Sequence, residues 1–101
     1  MLSDHDIESD IQAKGKTAPR VTPQRIDEVV VGEYFHVPPG TTLTLCVLTL
    51  ANGFTVTGES ACASPENFDT EIGQDIARGN ARAKVWALEG YLLRSRLAET
   101  P

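Results

Sequence analysis

The stretch that most limits what this chain can become is Thr41 to Phe68, TTLTLCVLTLANGFTVTGESACASPENF, where two β-rich segments meet across Asn-Gly and lead at once into a helix start. Asn52-Gly53 is a favoured pair for a two-residue type I′ hairpin, since both central positions need φ > 0. That turn sets Ala51 opposite Phe54, Thr49 opposite Val56 and Val47 opposite Gly58. Leu43, Leu45, Val47, Phe54 and Val56 then share one face, the expected core face. Thr42, Thr44, Cys46, Leu48 and Leu50 fall on the other with Thr55, Thr57 and Glu59, a mixed surface.

A helix is predicted on either side of this hairpin. Thr22 is suited to cap the first and Pro23 to open it, with Val21 stapling onto Ile26, so that it runs to about Gly32 with Ile26, Val29 and Val30 inward. Glu33 to Val37 reads as a short extended segment closed by Pro38-Pro39-Gly40. The second helix is expected to start with Ser64 as cap and Pro65 at its first position, and to run to about Leu97 with Phe68, Ile72, Ile76, Val85, Leu88 and Leu92 on helical spacing. Gly79-Asn80 predicts a soft spot or bend, with two separate helices as the alternative. The fold class is α+β, an antiparallel hairpin packed against a short N-terminal and a long C-terminal helix. The expected core is Ile26, Val30, Leu43, Leu45, Val47, Phe54, Val56, Phe68, Ile72, Ile76 and Leu88.

Residues 1–20 form an arm, acidic through Asp4, Asp6, Glu8 and Asp10 and then basic through Lys14, Lys16 and Arg20, with a short helix behind Ser3; residues 21–101 form one domain. At 101 residues, 41% hydrophobic and 23% charged, the chain has the composition of a single globular domain. Its longest apolar run is too short to span a membrane, and the acidic N-terminus is unlike a signal peptide, so a cytoplasmic location is expected. A net charge of −5 argues against long DNA or RNA as a partner. Cys46 and Cys62 have no metal-binding or dithiol spacing and read as reduced thiols. His5 and His36 accompany no nucleophile or phosphate-loop pattern, and Asp69, Glu71 and Asp75 sit where a helix start favours acids, so neither an enzyme, nor a metal site, nor a cofactor is expected.

The segments IQAKGKTAPRVTP, CVLTLANGFTVTGESACASPENFDTEIGQDIAR and VWALEGYLLRSRL, spread from about Ile11 to Leu97, resemble the small tailed-bacteriophage proteins of the gene product forty-nine / sixty-six family. The resemblance implies a phage or prophage accessory protein acting in the host cytoplasm, and it carries no functional residues with it.

Two functions then fit. The first is sequestration of a phosphorylated small molecule, a nucleotide signal of antiphage defence, by Ser60, Ser64 and Asn67 at the start of the long helix and by the basic pair Arg78 and Arg82. These two groups lie roughly 20 Å apart along the helix, so only an oligomer unites them. The alternative is a protein-interaction module that inhibits or redirects a host or phage protein. Homo-oligomerisation is expected from the apolar surface, through Leu48 and Leu50 on the mixed hairpin face and Trp86, Tyr91 and Leu93 off the main helical stripe. A fold-back of Ile7 and Ile11 over the second hairpin face is the competing arrangement.

Overall fold

The computed structural model describes residues 3–99. Helix α1 (Asp4–Ala13) is followed by α2 (Pro23–Val29), the strands β1 (Val30–His36), β2 (Leu43–Leu50) and β3 (Thr55–Ala61), a 3₁₀ turn (Pro65–Asn67) and the long helix α3 (Thr70–Ala98). The strands form an antiparallel meander in the order β1-β2-β3. The class is α+β, as expected, but the sheet has three strands where the sequence predicts two. The segment read as a short extension is a full edge strand, and it begins where α2 was expected to continue. Thr22 does cap α2, accepting from the Arg25 N–H, with Pro23 at the helix start. The β-branched run Val29-Val30-Val31 then turns into strand, with a bulge at Val31 between the Val30/Leu50 and Gly32/Thr49 pairs.

The hairpin turn differs by one residue, so β2 changes face while β3 keeps the one expected of it. Leu50 pairs with Phe54: its N–H donates to the Phe54 carbonyl at 2.8 Å, and the Gly53 N–H donates to the Leu50 carbonyl at 2.8 Å. Gly53 has φ 89°, and no non-glycine residue has positive φ among those described, so Asn52 does not take the conformation that a type I′ turn demands. The loop is Ala51-Asn52-Gly53, a type I turn closed by a left-handed glycine, which is the common three-residue hairpin. Asn52 contributes instead through its side chain, whose Oδ1 accepts from the Phe54 N–H at 2.9 Å. Leu48 thus faces Val56 and Cys46 faces Gly58. Thr44, Cys46, Leu48 and Leu50 are buried, while Leu43, Leu45 and Val47 are only half-buried and Phe54 is 56% exposed. The face of β2 expected in the core is therefore the outer one. Leu48 and Leu50, expected to face a partner subunit, are 1% and 5% exposed beneath α3.

Helix α3 lies low on this inner face because small residues line its contact. Gly73, Ala77, Ala81 and Val85, each four apart, are its buried residues. Opposite them, a Cβ on Gly58 would stand 2.3 Å from the Ala77 carbonyl oxygen and 2.3 Å from the Ala81 nitrogen. The core they close contains Ile26, Val29, Cys46, Leu48, Leu50, Val56, Ala77, Ala81 and Val85. Ile26 and Val56 were expected there. Ile72, Ile76 and Leu88 were expected too, but are 60%, 50% and 39% exposed, because the bulky stripe flanks the small one that touches the sheet. Phe68 and Val30 are half-buried.

The helix runs unbroken through Gly79-Asn80. Asn80, read as a weak point, is a tether: its side-chain Nδ2 donates to the Glu59 carbonyl of β3 at 2.8 Å. Its start also moves, since Ser64 makes no side-chain cap bond and leads only into the 3₁₀ turn. Asp69 is the cap, its carboxylate accepting from the Ile72 N–H at 2.9 Å. In the arm, Ser3 caps α1 through a capping box and α1 buries no residue. It docks on the flank of α3, where the Trp86 Nε1–H donates to Asp4 at 3.1 Å, and is tied to the chain behind it by the Arg20–Glu8 ion pair. Ile7 and Ile11 therefore do not cover the second hairpin face.

This packing sets three stabilities. Leu48→Ala is expected to cost about 2–5 kcal/mol. Phe54→Ala, at an exposed position, is expected to cost under about 1 kcal/mol. Gly58→Ala, which drives a methyl into helix backbone, is expected to cost about 3 kcal/mol or more. Urea denaturation of the three variants measures each against the wild type.

Candidate functional site

Four of the five residues expected to bind a ligand fall at two separate places. The first is a cleft of about 210 Å³ between the open end of the hairpin and the start of α3, lined by Thr42, Thr44, Ser60, Asn67, Asp69 and Ile72 among others. Ser60 and Asn67 meet here, as the sequence suggested, whereas Ser64 is not among the lining residues. Local hydrogen bonds shape the cleft. The Thr42 hydroxyl donates to the Cys62 carbonyl at 2.5 Å, and the Cys62 Sγ lies 3.1 Å from the Ser64 carbonyl oxygen. Below, the Thr44 hydroxyl is buried with no hydrogen-bond partner among the described residues, pressed against the helix near Gly73. Among the described residues of the lining, Asp69 alone is an ionisable carboxylate or cation. A helix start of this kind attracts anions, yet the position is already taken by that carboxylate.

The second place is the flank of α3 that faces β1 and α2. Arg78 donates from Nε and Nη2 to the two carboxylate oxygens of Glu33, at 2.8 and 3.1 Å, and from Nη1 to Asp75 at 2.8 Å. Its guanidinium also stands 5.1 Å from the centre of the Phe35 ring. Arg82 donates to Asp27 of α2 at 3.0 Å. The forked geometry that makes arginine a phosphate binder is thus used on carboxylates of the same chain. Hydrogen bonding to Arg78 holds the Glu33 carboxyl below its ordinary value, and the same contact raises the guanidinium above its own. The Cys46 thiol, beneath the helix, is pushed up by burial.

A third concavity was not foreseen. At 29 residues α3 is roughly 43 Å long, against about 25 Å for the strands, so its last turns project past the hairpin turn. In the angle lies a groove of about 400 Å³ lined by Arg25, Val29, Leu50, Leu88, Tyr91 and Leu92 among others. Leu88 and Leu92 are each 39% exposed and Tyr91 is 78% exposed. Arg25 spans the groove's edge to Glu89 at 2.5 Å. Of the helix residues expected at an interface, Tyr91 is the open one. Trp86, partly buried, sits under α1, and Leu93 is half-buried. Spacing in the sequence showed this apolar stripe but not that the sheet ends before it does.

Among the described residues, no group of three or more His, Cys, Asp or Glu side chains is placed to hold a metal ion. No described helix is long and apolar enough to cross a membrane. Residues 21–97 match the model of the phage protein (N4 Gp49/phage Sf6 gene 66) family. No curated protein and no solved structure matches the chain.

The Glu33–Arg78 pair predicts a pH dependence. A carboxyl depressed in the folded state stabilises the protein above its unfolded value and ceases to do so as pH falls through the folded one. The thermal midpoint of the wild type is therefore expected to hold down to about pH 5 and to drop below it, whereas Glu33→Gln starts lower at neutral pH and declines less. Melting curves of both proteins from neutral to acid pH measure the difference.

Proposed function

Because the chain belongs to the phage protein (N4 Gp49/phage Sf6 gene 66) family, we propose that it is a phage accessory protein that acts inside the host by binding another protein, without catalysis. The observation that carries this reading is the projecting end of α3, where Leu88, Tyr91 and Leu92 stand exposed over an apolar floor of Val29 and Leu50. Contiguous apolar surface of this kind on a small chain marks an interaction site, and a tyrosine beside leucines is the composition of an interface centre. The fit is to a partner segment that presents a few apolar side chains to the groove.

Sequestration of a phosphorylated nucleotide has less support. It calls on Arg78 and Arg82, which are paired to Glu33, Asp75 and Asp27, and on a cleft whose charge is the Asp69 carboxylate. A phosphate would have to displace these acids, and a net charge of −5 adds to the cost of bringing it close.

Native mass spectrometry of the protein purified from bacteria tests the choice. The expected spectrum shows a second protein held at fixed stoichiometry by the wild type and lost from Leu92→Asp, a variant whose circular dichroism is unchanged. Rebinding of that protein after purification completes the test. A retained nucleotide with no second protein would overturn this reading in favour of sequestration.

A further inference from the structure

Among the described residues, no helix covers the outer face of the sheet. We propose that it is the seat of a second copy of this chain, two sheets stacking face to face about a two-fold axis parallel to β2.

Strand β2, LTLCVLTL, is apolar on both sides: Thr44, Cys46, Leu48 and Leu50 point to α3, and Leu43, Leu45, Val47 and Thr49 point away. Continuous apolar strands are characteristic of sheets covered on both faces, and α3 covers one. Size points the same way. The chain exposes 7024 Å², whereas a compact monomer of its 10.9 kDa mass exposes roughly 5,600 Å². The excess exceeds the approximately 800 Å² that each partner contributes to a stable complex.

Charge favours a copy of the same chain over an unrelated partner. Pairing aligns His36, Leu45 and Glu59 in one row across the sheet, and Tyr34, Val47 and Thr57 in the next. Cross-strand neighbours share a face, so the outer face carries one basic-capable group on β1, one acid on β3, and leucine and valine between them. No lysine or arginine lies on any of the three strands. A two-fold axis along β2 sets β1 over β3 of the partner subunit. His36 then meets Glu59 of the partner subunit, twice by symmetry, while the Leu45 and Val47 stripe packs on itself. In an aligned sandwich the sheets lie about 10 Å apart and cross at about −30°, which shifts edge strands only some 5 Å from the axis by a few ångströms. The histidine and glutamate stay within reach.

Sedimentation velocity over a range of concentrations tests the arrangement. The wild type is expected at the mass of two chains, and Val47→Glu at the mass of one with unchanged circular dichroism. His36→Glu, which sets acid against acid at an exposed edge, is expected to weaken the dimer about tenfold, and adding Glu59→His is expected to restore it. Should Val47→Glu fail to fold, the exchange of His36 and Glu59 decides alone. A wild type that stays at one chain, a dimer indifferent to both sets of variants, or a dimer broken by Leu92→Asp and not by Val47→Glu would each overturn the proposal. Loss of the partner protein in Leu92→Asp with the dimer intact separates this association from the binding function above.

Discussion

The contact on which the molecule depends is that of helix backbone with strand backbone at Gly58. A methyl there would meet the Ala77 carbonyl and the Ala81 nitrogen at 2.3 Å, so the strand admits the helix only because nothing projects. Close packing of this kind gains dispersion contacts along both backbones and tolerates no added volume. It also decides the orientation of α3. With Gly73, Ala77, Ala81 and Val85 turned to the sheet, the larger Ile72, Ile76 and Leu88 are carried to the flanks, where α2, the 3₁₀ segment and solvent share them. The exposure of Ile72, Ile76 and Leu88 follows from a helix that sits too low for them to go beneath it.

Ion pairs hold that helix at the correct rotation. Arg78 reaches Glu33 of β1, Arg82 reaches Asp27 of α2, and Glu89 receives Arg25 of α2, so α3 is laced at three points along its length to the elements beside it. Each pair is partly exposed, and single surface pairs contribute little. Arg78 is a stronger case, since its bidentate bond to Glu33 and its position over Phe35 fix the guanidinium plane. The consequence for function is that the cations which suggested an anion site serve the fold.

Much of this was legible in the residues, and the failures have identifiable causes. The hairpin, the capping Thr22-Pro23 and the long amphipathic helix were each announced by local chemistry, as were Ile26 and Val56 in the core. Which face of β2 is buried was not, because each face of that strand carries three apolar residues and one threonine. The pattern is symmetrical, and only the turn distinguishes the faces. Asn-Gly serves both a two-residue and a three-residue loop, so Leu43, Leu45 and Val47 were placed inside when they lie on the outer face. The helix cap was misplaced because Ser64-Pro65 has the residues of a helix start but opens only a 3₁₀ turn, and Asp69, read as an acid of the first turns, is the cap. The candidate site was half visible. Ser60 and Asn67 do share a cleft, but Glu33 and Asp27, which engage Arg78 and Arg82, come from 45 and 55 residues away, beyond what spacing conveys.

The sheet's two margins bear on how such a chain stays out of aggregates. An edge strand with a free row of amides and carbonyls recruits further strands. Here β1 is interrupted by the bulge at Val31, and on β3 the outward carbonyl of Glu59 is already taken by Asn80, a side chain reaching over the rim from the helix above. A strand approaching from either side meets a broken ladder. Lateral growth into fibrils is thereby discouraged at both ends of a sheet whose threonine-rich, β-branched sequence would otherwise promote it.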